Sequence, residues 1–228
     1  MLKFLPILLA ILYGLAMYQI SAGRTRRELD QKSSPLVDPV LKRLTDQMAQ
    51  ALDLPQIKVN IYEIDPVNGL AAPDGRIFIT RGFYRKYQSG EVSAAEMASV
   101  IAHELGHVAL GHSRRRMIDF SGQNAIRTAM MMVLGRFLPF GFGAYVANFA
   151  MTLLMARLSR GDEYEADAYA SALLHKSGIG TAPQKDLFRK LEALTQSRSG
   201  APAWLLSHPK TSERIAAIEA MEARWAKV

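Results

Sequence analysis

Apolar and polar positions alternate in two short segments of the chain and follow a helical period in longer ones. Residues 57–64 and 76–80 alternate as strands do. A helical period begins near residue 94, and further helices are predicted at 159–170 and from Thr211 onward. This pattern predicts a mostly helical α+β domain with a small β-sheet.

The N-terminus is a long apolar stretch. Leu2 to Ile20 is broken only by Lys3 and by mild residues, and about 17 to 20 apolar residues can cross a bilayer as a helix. Residues 1–22 are therefore predicted to be a membrane anchor or a cleaved signal peptide. Residues 23–39 are predicted to be a linker, and residues 40–228 a single domain.

The charges around this stretch favour opposite orientations. Arg24, Arg26 and Arg27 outnumber Lys3, which by the positive-inside rule favours a cytoplasmic domain if the segment stays uncleaved. An apolar stretch after a single lysine is equally typical of an exporting signal. Charge alone therefore leaves both orientations open.

The helix that begins near residue 94 carries the sequence His103-Glu104-Leu105-Gly106-His107 behind a capping box formed by Ser93 and Glu96. At about 100° per residue the two histidines differ by about 40° around the helix, so both can reach one ion. Glu104 lies about 100° from His103, where it can reach a water molecule at that ion. This HExxH spacing is typical of a zinc hydrolase.

A catalytic zinc ion takes a third protein ligand. His112 is about 180° around the helix from His103 and does not fit the metzincin spacing, so we exclude it as a ligand. In the acidic cluster at 159–170, Glu163 and Asp167 share one helix face, whereas Glu165 points elsewhere. One of the two carboxylates can bind metal while the other orients a ligand imidazole; a solvated acidic face is the alternative.

Three sequence blocks occur in order: HELGHVALGH at 103–112, SRGDEYEADAYA at 159–170 and SHPKTSERI at 207–215. Together they resemble the gluzincin metallopeptidases that include HtpX and the type I CaaX prenyl proteases, and most closely the small single-domain bacterial members. The resemblance covers about residues 35–222 and is far more specific than HExxH alone. It implies a zincin-like domain with a small sheet beside the HExxH helix and C-terminal helices that close the core.

The resemblance also implies one Zn²⁺ per chain and assigns a role to each site residue. These are the zinc ligands His103, His107 and Glu163, the general base Glu104, the hydrogen-bonding partner Asp167, and His208 with Arg214 close to the metal. His208 is implied either to act near the oxyanion or to be a displaceable fourth ligand. Without the resemblance, His208 before Pro209 reads as a surface turn that leads into the helix from Thr211.

The residues between the two predicted strands bear on substrate binding. Asn68, Gly69 and Leu70 occupy the place of the family's active-site edge strand, where Asn-Ala-Phe is more usual. An extended peptide can add to such an edge by main-chain hydrogen bonds, which makes sequence selectivity weak. Gly69 in place of alanine departs from the family pattern, and an ordinary core hairpin is the alternative.

A second apolar segment spans residues 125–156, with no charged residue from Phe137 to Ala156. A single membrane crossing would put His107 and Glu163 on opposite sides of the bilayer. About 32 residues are also too few for two crossings of about 30 Å. We expect core helices here, or a gating segment that dips into the membrane surface.

Composition narrows the chemistry and the partners. The chain carries a net charge of +7 and no cysteine. It therefore has no thiol nucleophile, thiolate ligand or disulfide, and it lacks a GxSxG element. No nucleic-acid-binding motif accompanies the positive charge, so we expect contact with anionic membrane lipids; a solvated surface explains the charge nearly as well.

These inferences predict a zinc metalloendopeptidase that cleaves unfolded or damaged proteins in membrane or envelope quality control. The alternatives are a processing protease with one specific substrate and a latent or chaperone-like zinc protein that binds unfolded chains. We expect the bacterial inner membrane with the domain on the periplasmic side, because small relatives are often extracytoplasmic. A cytoplasmic-facing domain and secretion after cleavage are the alternatives.

Overall fold

A computed structural model describes residues 5–72, 74–112, 142–196 and 211–227. The helices are α1 Leu5–Gln31, α2 Pro39–Ala51, α3 Arg81–Gln88, α4 Ala94–Ala109, α5 Phe142–Lys176, α6 Ala182–Gln196 and α7 Thr211–Trp225. The strands are β1 Ser33–Pro35, β2 Val59–Tyr62, β3 Gly69–Ala71 and β4 Ile77–Thr80. The prediction of a mostly helical α+β domain with a small sheet is confirmed.

The four strands form one mixed sheet in the order β1-β2-β4-β3. Strands β2 and β4 are parallel, and the two outer pairs are antiparallel. The predicted strands at 57–64 and 76–80 both form in shortened versions. Strand β2 stops at Tyr62 because the chain turns there, and the amide of Ile64 donates to the carbonyl of Tyr62 at 2.8 Å. Within the described sheet, β3 is an edge strand.

The sheet packs against helices on both faces because successive strand side chains point to opposite sides. One face meets α4, with Ile61, Ile77 and Ile79 in the same buried cluster as Val100 and Ile101. The other face meets the end of α1, where Leu29, Leu70 and Phe78 pack together. Residues 23–35, predicted as part of a linker, are thus helical as far as Gln31 and then form β1, so this segment contributes to the core.

No helix in the described part of the chain is long and apolar enough to cross a membrane. The division into an anchor or signal segment and a domain from residue 40 stays a prediction.

Helices α4 and α5 pack against each other more extensively than any other two helices in the described part of the chain. Helix α4 begins at Ala94, and both hydrogen bonds of the predicted capping box between Ser93 and Glu96 are present. The helices pack tightly at Gly106, where an added Cβ would lie 3.0 Å from the carbonyl oxygen of Ala166. Of the apolar segment predicted at 125–156, residues 142–156 form the first part of α5; residues 113–141 lie outside the described ranges.

Candidate metal centre

Three potential ligand side chains from α4 and α5 converge at one buried point. The Nε2 atoms of His103 and His107 lie 3.1 Å apart. Glu163 places Oε2 3.4 Å from Nε2 of His103 and Oε1 3.5 Å from Nε2 of His107. Ligand atoms about 2.1 Å from a tetrahedral zinc ion stand about 3.4 Å apart, so these separations fit a single zinc ion. Two imidazoles and one carboxylate are also a donor set that zinc accepts.

Asp167 lies directly behind His103. Its Oδ1 atom is 2.9 Å from Nδ1 of His103. This ring nitrogen is not the one that faces His107, which is Nε2. Arg214 of α7 donates to the same carboxylate through Nε at 2.5 Å and Nη2 at 2.7 Å. The guanidinium is fully buried, and its central carbon lies 4.4 Å from the ring centroid of Phe188. The carboxylate can therefore hold the imidazole of His103 in one orientation.

In the absence of a metal, the surroundings of His103 and Asp167 favour a protonated imidazole and an ionised carboxylate. Burial acts to lower the pKa of His103, but hydrogen bonds with Asp167 and Glu163 outweigh it and raise the pKa to about 9. Burial acts to raise the pKa of Asp167, but the Arg214 guanidinium outweighs it and holds the pKa below its usual range. A metal ion held by Nε2 of His103 would therefore compete with a proton for that nitrogen.

His112 folds back onto the second histidine of the motif. Helix α4 ends at Ala109, and Gly111 adopts a positive φ of 72° that L side chains rarely accept. This turn places Nδ1 of His112 3.0 Å from Nδ1 of His107. His112 is not one of the three converging side chains, and the helical angle used to exclude it does not apply, because α4 ends before it. Gly111 was the sequence signal for this turn.

The carboxylate of Glu104 is buried against the edge strand. An added Cβ on Gly69 would lie 3.1 Å from Oε1 of Glu104 and 2.8 Å from Cγ1 of Val100, so glycine lets β3 approach α4 closely. Asn68 precedes the strand, and its backbone N–H donates to Oγ1 of Thr80 at 2.9 Å. Leu70 points to the opposite face, where it packs in the cluster of Leu29 and Phe78.

The structure thus brings together His103, Glu104, His107, Glu163, Asp167 and Arg214, with Gly69 beside them. Asn68 and Leu70 lie next to Gly69 on the edge strand or just before it. His208, predicted near the metal, lies outside the described residues. The catalytic and substrate-binding roles of all these residues stay predictions.

Comparison with known proteins places this arrangement in context. The family model described as "Peptidase family M48" matches residues 35–222. Metalloprotease LoiP of Escherichia coli (strain K12) is 30% identical over 209 residues, which cover 89% of this chain and 80% of that protein. A protease HtpX homolog of Salinibacter ruber is 30% identical over 223 residues, with 82% and 75% covered. The beta-barrel assembly-enhancing protease of Escherichia coli (strain K12) is 27% identical over 198 residues, but only 39% of its length is covered.

Proposed function

Because the chain belongs to peptidase family M48 and is a metalloprotease, we propose that it is a zinc endopeptidase whose ion is held by His103, His107 and Glu163. The observation that carries this proposal is the convergence of the three side chains, with potential ligand atoms 3.1 to 3.5 Å apart in a buried site. Asp167 supports it further, because a carboxylate on the far nitrogen of a ligand histidine is the usual partner in zinc sites.

Glu104 is the proposed general base. A zinc ion at this site would supply Lewis acidity, which activates water and polarises the peptide carbonyl. Glu104 takes a proton from the attacking water at a carboxylate oxygen and later delivers it to the leaving amine nitrogen. Glu104 is buried, and because it follows His103 on α4 it would lie beside an ion held by that histidine.

The edge strand β3 is the proposed binding surface for the substrate backbone. Its contact with Glu104 through Gly69 means that a peptide added to this edge runs past the base. Main-chain hydrogen bonds to residues 68–70 fix the direction of the peptide without reading its side chains. This arrangement favours unfolded or damaged proteins as substrates over one specific sequence.

The proposed setting is membrane or envelope quality control, with the domain on the periplasmic side. One similar protein is named a beta-barrel assembly-enhancing protease and another a protease HtpX homolog, which supports this setting for the present chain. The net charge of +7 supports contact with anionic lipids. His208 is proposed to tune activity, near the oxyanion or as a displaceable fourth ligand.

Cleavage of casein by the full chain tests the proposal, with wild type and Glu104→Gln compared and zinc content measured on both. We expect about one zinc ion per chain in each protein and cleavage by the wild type alone. If both bind zinc and neither cleaves, the latent or chaperone-like alternative replaces the peptidase assignment. Cleavage by Glu104→Gln at the wild-type rate would instead remove Glu104 as the base.

A second pair of variants tests the choice of the third ligand. Glu163→Ala should lose zinc, whereas Glu165→Ala should still load one ion at saturating zinc, because Glu165 is exposed and two residues away on another face of α5. Zinc retained by Glu163→Ala and lost by Glu165→Ala would overturn the assignment.

A further inference from the structure

A chain of three side chains leads from the candidate metal centre to the protein surface. Nδ1 of His107 lies 3.0 Å from Nδ1 of His112, and Nε2 of His112 lies 3.0 Å from Oε2 of Glu165. His112 is fully buried, whereas the side chain of Glu165 is 61% exposed. A buried histidine thus contacts a potential ligand with one nitrogen and a solvent-exposed carboxylate with the other.

The hydrogen-bonding rules for neutral imidazoles fix which atoms carry the protons. If His107 offers the lone pair of Nε2 to a metal, its Nδ1 carries the proton and donates to Nδ1 of His112. Nδ1 of His112 is then an acceptor, so the proton of His112 is on Nε2. That nitrogen donates to Glu165, because an ionised carboxylate can only accept a hydrogen bond.

The two ligand histidines are therefore supported differently. His103 contacts a buried carboxylate, Asp167, which Arg214 holds by two hydrogen bonds. His107 reaches its carboxylate through a second imidazole. Oδ1 of Asp162 lies 3.7 Å from the same Nε2 atom of His112, too far for a hydrogen bond but close enough to favour the protonated nitrogen on that side.

The geometry points to His112 as a positioning residue that orients the imidazole of His107 toward the metal and couples it to the Glu165 carboxylate. This inference rests on the proposed zinc site. It explains why the chain turns at Gly111 immediately after α4: the turn returns His112 to the motif that it follows. Partners of this kind contribute about 10- to 100-fold to metal affinity or activity.

Zinc affinity of the full chain, measured by competition with a chromophoric chelator at fixed pH, tests the inference. His112→Ala should weaken affinity by about 10-fold or more. His112→Asn should recover most of this loss, because its amide oxygen takes the place of Nδ1 as acceptor. Glu165→Gln should cause a smaller loss, since the amide oxygen still accepts from His112 and the lost charge is exposed to solvent.

A matched control is His175→Ala, which removes a histidine of α5 that stacks on Trp225. His175 lies twelve residues from Glu163, which is about 18 Å along the helix. The zinc affinity of the His175→Ala variant should therefore equal that of the wild type. Nitrogen-15 NMR of the zinc-loaded wild type gives an independent result: His107 should be protonated at Nδ1 and His112 at Nε2.

Several results would overturn the inference. His112→Ala with wild-type affinity would do so, as would His112→Asn no better than His112→Ala, since packing alone would then explain the effect. A wild type with two zinc ions and a His112→Ala variant with one would assign His112 to a second metal site.

Failure of the proposed function gives a different result. In that case zinc would not bind the wild type at all, or it would still bind Glu163→Ala. If His112→Ala does not fold, the His112→Asn variant and the NMR result decide the inference.

Discussion

Replacing Gly106 with alanine tests how closely α4 and α5 must approach for the candidate site to form. An added Cβ would lie 3.0 Å from the carbonyl oxygen and 3.1 Å from the Cα of Ala166, so the helices must separate by a few tenths of an ångström. Both neighbours are backbone atoms, which cannot swing aside as a side chain can. Ala166 is three residues from Glu163, so this separation moves Glu163 away from His107.

The expected magnitude follows from two opposing terms. Alanine in place of glycine inside a helix stabilises it by about 1 kcal/mol, and overpacking of a tight contact costs about 1 to 3 kcal/mol. Gly161 of α5 is a matched control, because an added Cβ there meets no atom of the described residues within 4 Å. Gly161→Ala should therefore gain about 1 kcal/mol, and Gly106→Ala should be about 1 to 3 kcal/mol less stable than that control.

Thermal unfolding of both variants and the wild type, without metal, measures this difference. At about 2 to 4 °C per kcal/mol for a chain of this size, Gly106→Ala should unfold several degrees below Gly161→Ala. Its zinc affinity should also fall, because ligands must be held within about 0.5 Å of their working positions. The reasoning is refuted if Gly106→Ala gains as much stability as Gly161→Ala and binds zinc as tightly as the wild type.

Three other perturbations have defined outcomes. Gly69→Ala should displace the Glu104 carboxylate and lower casein cleavage by about 10-fold or more with zinc content unchanged; full activity would contradict the contact between β3 and Glu104. Arg214→Met should leave Asp167 buried without its guanidinium and reduce the free energy of unfolding by about 3 to 5 kcal/mol in a urea titration, and a loss below about 1 kcal/mol would show that the pair is dispensable. For Glu96, burial acts to raise the pKa, but hydrogen bonds with Lys190 and Ser93 outweigh it and lower the pKa below 4.5, so its stabilisation is present above that pH and is lost as the pH falls through the lowered value. Glu96→Gln should therefore show a shallower loss of stability below pH 4.5 than the wild type, and parallel curves would contradict this.

Local sequence signals predicted the elements that carry the site. The capping box fixed the start of α4 because its two hydrogen bonds involve only Ser93 and Glu96. The spacing of His103 and His107, and of Glu163 and Asp167, predicted which side chains share a face. Neither spacing could decide which carboxylate is closer to the histidine Nε2 atoms, because that depends on where α5 crosses α4. Spacing left the choice open, and the resemblance pointed to Glu163.

Features that depend on the end of an element were harder to predict. The exclusion of His112 assumed a continuous helix, but α4 ends three residues before it and Gly111 adopts a positive φ. Residues 23–35 belong to the segment 23–39 that the sequence predicts to be a linker. The single apolar position Leu29 nevertheless packs under the sheet, which only tertiary structure reveals.

The charges buried around the two proposed ligand histidines explain why metal binding and folding should be coupled in this chain. Glu104, Glu163 and Asp167 bring three carboxylates into the buried site, and Arg214 brings one guanidinium. Counting only these four described side chains in their ionised forms, with neutral histidines, negative charge exceeds positive charge by two, and buried charge of one sign is costly. A proton on His103, whose pKa the carboxylates raise to about 9 against the effect of burial, offsets one of them. His103, His107 and Glu163 would hold a divalent cation that offsets both charges, and binding of such an ion would stabilise the native state by mass action.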